Sequence, residues 1–162
     1  MATTPTPGFW VGRDADRLGE HHSVGIGTLS FKVSTQDSQG GLLVVELVDD
    51  AKGGPPRHLH RAQDEVFYVT EGEYLLEVGP DRFRLRPGDC AFGPRTVPHT
   101  WAFVGDHTGR IEFTVSPAGR LEAFFHELSK AGAMAPQDPA FWPPYGLELV
   151  GPPLDAEPGV RP

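Results

Sequence analysis

Short stretches of alternating apolar and polar residues predict a chain of β-strands. In residues 29–35, Leu29, Phe31 and Val33 alternate with polar residues, which gives a strand with one apolar face. Residues 42–48 form a nearly continuous apolar run, as expected of a strand that is buried on both sides. The same criteria predict further short strands at residues 66–70, 74–78, 83–85, 91–92, 97–104 and 110–115. Many short strands separated by glycine and proline favour an all-β sandwich or barrel over a helical protein.

The hydrophobic period changes after residue 116 and predicts one helix. Ser116 is a good N-cap and Pro117 suits the first helical position. Gly132 is a plausible end. The apolar face of the predicted helix consists of residues at spacings of three and four, Leu121, Phe124, Phe125 and Leu128.

This pattern divides the 162 residues into four parts within one domain. Residues 1–28 form an N-terminal arm, 29–116 the barrel core, 117–132 the helix and 133–162 an extended, irregular, proline-rich tail. In the arm, Phe9 and Trp10 are expected to anchor on the barrel or on a partner subunit. The aromatic residues of the tail, from Phe141 to Tyr145, are expected to pack as a lid or as a dimer arm.

Charge and cysteine content exclude several classes of function. A formal net charge of −8 argues against binding to nucleic acid or to an anionic membrane. The single cysteine, Cys90, excludes an intrachain disulfide and a cysteine-rich metal site. No apolar run has membrane-spanning length and the N-terminus lacks the features of a signal peptide, so a cytoplasmic location is expected.

The strongest chemical signal is a pair of histidines two residues apart. His58 and His60 point to the same face if they lie on a strand. Glu65 has the opposite parity, so a bend across residues 61–64 must bring it to the same place. Imidazole and carboxylate together suit a borderline divalent ion. A pair of this kind also occurs by chance, but His99, further along the chain, is a fourth candidate ligand.

Other residues are weaker candidates. Gln63 lies between the ligands and is an alternative to Glu65 if the bend differs. His21 and His22 are interpreted as exposed loop residues, and His126 falls off the apolar face of the predicted helix, so it is interpreted as a surface residue.

Two motifs in order make the chain resemble the cupins. The first consists of a glycine, Gly53 or Gly54, followed by His58, His60, Glu65 and Gly72. The second runs from Gly88–Asp89 through Pro94–Arg95–Thr96 to His99. Two positions depart from the pattern, since Thr96 replaces a glycine and Phe103 stands where asparagine is frequent. The resemblance covers roughly Leu29 to Val115.

The resemblance implies a cupin-type antiparallel jelly-roll barrel that holds one divalent transition metal ion, Fe, Ni, Mn, Co, Cu or Zn. The implied ligands are His58, His60, Glu65 and His99, which leave one or two coordination positions open. The apolar residues expected to line the substrate pocket are Phe67, Val69, Tyr74, Phe92, Trp101 and Phe103. The alternative is that these residues simply fill the core of a small barrel.

Within the cupins, the chain looks like the monocupin quercetin 2,3-dioxygenase-like group. The segments PRTVPHTW and SPAGRLEAFFHEL carry this likeness. It implies a metal-dependent dioxygenase that oxidises a flavonol-like or other enolisable aromatic molecule with O2, releasing carbon monoxide from a flavonol. Glu65 would be both metal ligand and general base, and a homodimer is expected. The alternatives are a non-oxidative metal-dependent cyclase, isomerase or lyase, and a cupin that only binds a small molecule.

Overall fold

The protein consists of two antiparallel β-sheets and one α-helix. The computed structural model describes residues 6–156, so the first five residues of the predicted arm and the last six of the predicted tail lie outside the described residues. The helix α1 spans Leu121–Ala131, and a 3-10 turn covers Pro143–Tyr145. The strands are β1 His22–Ser23, β2 Gly27–Val33, β3 Leu43–Asp49, β4 Pro56–His60, β5 Asp64–Glu71, β6 Tyr74–Val78, β7 Asp81–Leu85, β8 Cys90–Gly93, β9 His99–Phe103, β10 Gly109–Ser116 and β11 Leu147–Pro153.

The strand order confirms the predicted all-β jelly-roll class. One sheet has six strands in the order β1-β2-β3-β10-β5-β8, and the other has five in the order β11-β4-β9-β6-β7. Neighbours in space are mostly distant in sequence, and the pairs are antiparallel. The chain therefore crosses repeatedly between the sheets, and consecutive strands such as β4 and β5 belong to opposite sheets.

Alternation along the central strands places the core between the sheets. In β5, Phe67 and Val69 are fully buried whereas Tyr68 between them is exposed. In β10, Phe113 and Val115 are buried in the same way. Because successive side chains of a strand point to opposite faces, this pattern aims one apolar row inward from each strand.

The helix begins at Leu121 rather than at Pro117, and its N-cap is Arg120 rather than Ser116. Gly119 has a φ of 56°, in the left-handed region, so the residues just before Arg120 cannot continue a right-handed helix. Gly132 ends the helix in the left-handed conformation, as expected. The helix packs its buried residues, Leu121, Phe124 and Leu128, into the main hydrophobic core.

The tail contains a strand that the proline content obscured. Leu147–Pro153 forms β11, which pairs with β4 and lies at the edge of the five-stranded sheet. Proline is tolerated on an edge strand because one row of backbone groups there makes no ladder hydrogen bonds. The pairing sets Leu147 opposite His60 and Leu149 opposite His58, so the tail is attached directly to the histidine strand.

The described part of the arm packs against the six-stranded sheet. Lys32 Nζ donates hydrogen bonds to the carbonyl oxygens of Gly12, Arg13 and Ala15. Asp16 Oδ2 accepts a hydrogen bond from the backbone N–H of Phe31 at 2.6 Å. Within residues 6–156, no helix combines the length and apolar character needed to cross a lipid bilayer.

Candidate metal centre

Four buried side chains converge between the two sheets. The imidazoles of His58, His60 and His99 and the carboxylate of Glu65 each offer one ligand atom, and these atoms all lie within 4.8 Å of one another. Each of the four residues is at least nine-tenths buried. Such a group could hold a metal ion, and it contains the four ligands that the sequence predicts.

The topology explains why these side chains meet. His58 and His60 lie on β4 and face inward together, and His99 on β9 is the direct cross-strand partner of His58. Glu65 lies on β5, in the opposite sheet, so it reaches the histidines from across the barrel. The three residues between β4 and β5 carry the chain from one sheet to the other, which is the bend that the sequence requires.

Backbone carbonyl groups orient two of the imidazoles toward the centre of the group. His58 Nδ1 lies 2.8 Å from the carbonyl oxygen of Pro56, and His99 Nδ1 lies 3.1 Å from that of Val97. Because a carbonyl oxygen can only accept, Nδ1 carries the proton in each neutral ring and Nε2 keeps its lone pair. This second hydrogen bond is typical of metal-ligating histidines.

The resulting donor set fits a divalent metal ion. His99 Nε2 lies 3.1 Å from Glu65 Oε2, and His60 Nε2 lies 3.4 Å from the same oxygen. A nitrogen lone pair that faces a carboxylate oxygen at this distance is stabilised when a cation lies between the two atoms. His99 Nε2 and His60 Nδ1 are buried with no hydrogen-bond partner among the described residues. Three imidazoles and one carboxylate match the ligands that first-row transition metals accept.

Burial and mutual contact set the charges of the group. Burial, followed by the neighbouring histidines, lowers the pKa of His58 well below its usual 6.5. Burial lowers the pKa of His60 to about 4. Burial alone would raise the pKa of Glu65, but the imidazoles of His60 and His99 outweigh it and lower the pKa to about 2. At neutral pH the site therefore offers neutral imidazoles at His58 and His60 and an ionised carboxylate, as metal binding requires.

An apolar cavity lies beside the four ligands. Its volume is about 60 Å³, and His58, His60 and Glu65 are its polar lining residues. The remaining lining residues are apolar and come from both sheets, from α1 and from the segment after it. They include Leu29, Leu47, Trp101, Phe113, Phe124 and Trp142. The walls around this centre are therefore largely apolar.

The predicted pocket residues lie in different places. Trp101 lines the cavity. Phe92 is 57 % exposed, because its side chain points away from the core on the edge strand β8. The other four predicted pocket residues are buried in the core and do not line the cavity, which agrees with the alternative that they fill the core of the barrel. They are Phe67, Val69, Tyr74 and Phe103.

Residues that the sequence did not predict as pocket residues complete the lining of the cavity. Phe124 and Leu121 reach it from α1, and Trp142 reaches it from the tail. Their contribution was suggested only by the apolar face of the helix and by the cluster of aromatics in the tail. Nothing in their spacing indicated that they lie over the histidines.

The weaker candidates also have defined positions. Gln63 is buried, and its Nε2 donates a hydrogen bond to the carbonyl oxygen of Ala118. The interpretation of His22 as an exposed loop residue is wrong, since it is buried on β1 with its ring 5.0 Å from that of Phe31 and 5.1 Å from that of His126. The aromatic contacts are the reason for its burial.

Thr96, which replaces the glycine of the second motif, has the backbone conformation that glycine favours. Thr96 adopts a φ of 67°, a conformation that glycine accepts more readily than a β-branched residue. Its backbone N–H donates to the carbonyl oxygen of His60 at 2.7 Å. The turn therefore keeps its geometry and supports the histidine strand without glycine.

A second buried carboxylate lies outside the four-ligand group. Asp49, at the end of β3, is fully buried, and its Oδ2 accepts a hydrogen bond from the Tyr74 hydroxyl at 2.7 Å. Burial raises the pKa of Asp49 to about 7, although the Tyr74 hydroxyl acts in the opposite direction. Tyr74 thus holds a carboxyl group in the core instead of facing the cavity.

Comparison with known proteins bears on this geometry. Residues 45–116 match the cupin domain family Cupin_2. The fold is similar to that of KdgF from Halomonas sp., with a TM-score of 0.58 and 22 % identity, covering 69 % of this chain and 94 % of that one. It is also similar to an RmlC-like cupin from Shewanella frigidimarina, with a TM-score of 0.55 and 25 % identity, covering 71 % and 96 %. Residues 45–116 of this chain therefore form a cupin domain.

One curated relative of this cupin has a described activity. The chain is 28 % identical over 114 residues to the quercetin 2,3-dioxygenase of Bacillus subtilis (strain 168), which covers 70 % of this chain. The cupin spans about a third of that relative's length, 32 %. The likeness therefore concerns one portion of a larger protein.

Proposed function

We propose that this cupin is a metal-dependent dioxygenase that oxidises a largely apolar, enolisable small molecule, aromatic or flavonol-like, with O2. The observation that carries the proposal is the four-residue group of His58, His60, Glu65 and His99 beside an apolar cavity. The similarity to a quercetin 2,3-dioxygenase supports it. Glycosyl or dicarboxylate chemistry fits less well, because no lysine or arginine is among the described residues that line the cavity.

The residues of the proposed site have different chemical roles. The three histidines and Glu65 would hold a first-row divalent ion, and such an ion would supply Lewis-acid activation of an enolic oxygen. Glu65, which is ionised at neutral pH, would take the proton of the enolic hydroxyl as the substrate arrives. The apolar walls exclude water from the resulting anion. With a flavonol, O2 is the oxidant, both of its atoms enter the products and one ring carbon leaves as carbon monoxide.

Oxygen uptake tests the proposal. Metal-free protein is reloaded in turn with iron, nickel, manganese, cobalt, copper or zinc and supplied with two 3-hydroxy-4-pyranones of different size, maltol and 3-hydroxyflavone. We expect uptake with at least one ion and one compound, and its loss in Glu65→Gln. Asp49→Asn is the matched control, since it makes the same carboxylate-to-amide change outside the site. Stoichiometric metal with no uptake for any combination would contradict a dioxygenase and favour a non-oxidative lyase, isomerase or cyclase.

We also propose that the cupin forms a homodimer in which Trp10 contacts the partner subunit. Trp10 is 87 % exposed on an arm that is tied down by Lys32, so a large apolar side chain is held away from its own barrel. Light scattering after size-exclusion chromatography of Trp10→Ala tests this assembly. A dimer of unchanged stability in the variant would exclude a role for Trp10.

A further inference from the structure

The cavity beside the metal centre is covered by the segment that joins α1 to β11, residues 132–146, which we call the cover. Both of its ends are attached to the barrel, through the buried face of α1 and through the pairing of β11 with β4. Three of its residues, Met134, Ala135 and Trp142, line the cavity. Most of its other residues are exposed, so the cover is a thin layer from which Ala135 and Trp142 reach the core.

The cover closes tightly on the opposite rim of the cavity. Gly25, in the turn between β1 and β2, lies against Met134 so closely that a Cβ at this position would be 2.6 Å from the Met134 backbone nitrogen. Val24 beside it also lines the cavity. The rim therefore meets the cover without a gap at this point.

Trp142 is the part of the cover that lies nearest to the ligands. Its side chain is fully buried, and its ring centroid lies 5.1 Å from that of His58 at an interplanar angle of 32°. Phe124 of α1 packs against it at 5.5 Å. The indole Nε1–H donates to the carbonyl oxygen of Pro136 at 3.0 Å, a hydrogen bond within the cover itself. The cover thus fixes the indole over the metal centre.

With Trp142 in this position, the cavity is too small for a substrate of several rings. The volume of the cavity is about 60 Å³. Pockets that bind drug-sized ligands have volumes of about 300–1,000 Å³. A three-ring flavonol therefore requires either displacement of the indole or a different arrangement of the cover.

We propose that Trp142 determines the upper size limit of the substrate of this cupin. With its indole over His58, the site favours compact enolic molecules and disfavours the same chelating group on a larger ring system. This inference rests on the proposed metal site but not on oxygen chemistry, because it concerns which molecules reach the metal.

Binding to the zinc-loaded protein tests the proposal without turnover. Maltol and 3-hydroxyflavone carry the same hydroxyketone but differ in size, so the ratio of their Kd values isolates the size limit. We expect wild type to favour maltol, and Trp142→Ala to shift the ratio toward 3-hydroxyflavone by at least about tenfold, the lower end of what a hydrophobic pocket discriminates. Trp142→Phe should shift the ratio in the same direction by a smaller factor. Phe92→Ala, which truncates an exposed aromatic residue outside the cavity, should leave the ratio unchanged.

The outcomes separate this inference from the proposed function. An unchanged ratio in folded Trp142→Ala, or wild type that binds both compounds equally well, would overturn the size limit. If Trp142→Ala fails to fold, Trp142→Phe decides in the same way. Size-selective binding in wild type that is lost in the Trp142 variants, with no O2 uptake by any metal form, would uphold the role of Trp142 and reject the dioxygenase.

Discussion

Glu65 and Asp49 are both buried carboxyl groups, yet their surroundings shift their pKa values in opposite directions. The pKa of Glu65 is lowered to about 2 although burial opposes this. The pKa of Asp49 is raised to about 7, with burial as the main cause and Asp50 adding to it. Glu65 faces three imidazoles, whereas Asp49 faces one hydroxyl group and leaves its Oδ1 without a hydrogen-bond partner among the described residues.

The difference shows that burial alone does not decide whether a carboxyl group in this barrel is ionised. Burial penalises the charged form in both places, and nearby groups that favour the anion outweigh the penalty only at Glu65. A carboxylate that stays ionised in an apolar interior can bind a cation without first losing a proton. A carboxyl group that is easily protonated is instead tolerated as part of the core. The contrast therefore supports a metal site at Glu65 and a structural role for Asp49.

Replacement of each carboxylate by its amide should produce the largest difference between the two regions. Glu65→Gln removes a ligand, and we expect it to weaken zinc binding by more than about 100-fold, since even changing a residue that only orients a ligand costs 10–100-fold. Asp49→Asn should leave zinc affinity unchanged. Competition with a zinc-binding dye measures both constants, and equal affinities in the two variants would contradict the assignment of Glu65 as a ligand.

The pH dependence of the free energy of unfolding should reveal the raised pKa of Asp49, which is the second largest difference from Glu65. Below pH 3.8 the carboxyl group is protonated in both folded and unfolded protein. Between 3.8 and about 7 the unfolded chain releases the proton first, so Asp49 lowers the free energy of unfolding progressively as pH rises, with no further loss above pH 7. Because each pH unit between the two pKa values is worth about 1.4 kcal/mol, the full loss is about 4 kcal/mol at most.

Asp49→Asn removes this titration and should therefore become more stable relative to wild type as pH rises from 4 to 8. Urea unfolding of both metal-free proteins across this range gives the difference directly. A difference that does not change with pH would show that the carboxyl group of Asp49 has the same pKa in the folded and unfolded states.

The smallest of these effects should come from Tyr74→Phe, which removes the hydroxyl group that favours the Asp49 anion. We expect the variant to lose about 1–3 kcal/mol of stability at pH 8, where the carboxylate would lack its hydrogen bond, and less at pH 5. Urea unfolding at both pH values measures this loss, and zinc affinity provides the control. An equal loss at both pH values would mean that Tyr74 acts through packing alone.

The alternation of apolar and polar residues predicted most of the strands, because every second side chain of a strand points to the same face. The parity of His58 and His60, the shared face of Phe67 and Val69, and the strand of His99 follow from this rule. The same rule could not place Phe92, because the inward or outward direction of a short edge strand depends on which neighbour it pairs with.

The start of the helix shows another limit. Ser116 and Pro117 have the composition of a helix N-terminus, but Gly119 takes a left-handed conformation beside the Gln63 side chain. A Cβ at Gly119 would meet that side chain, so the local backbone is shaped by a contact 56 residues away in sequence. Capping propensity is a local quantity and cannot include such a contact.

The sequence by itself determined the ligand types, their spacing and the all-β class, since these depend on side-chain chemistry and on short-range periodicity. Only the tertiary structure decided that Glu65 crosses from the opposite sheet, that Asp49 is buried beside Tyr74, and that Trp142 lies over His58. These relations join residues that are distant along the chain, and they are stabilised by packing between sheets and by the pairing of β11 with β4. No local pattern records such packing, because the free energy that selects it comes from the whole core at once.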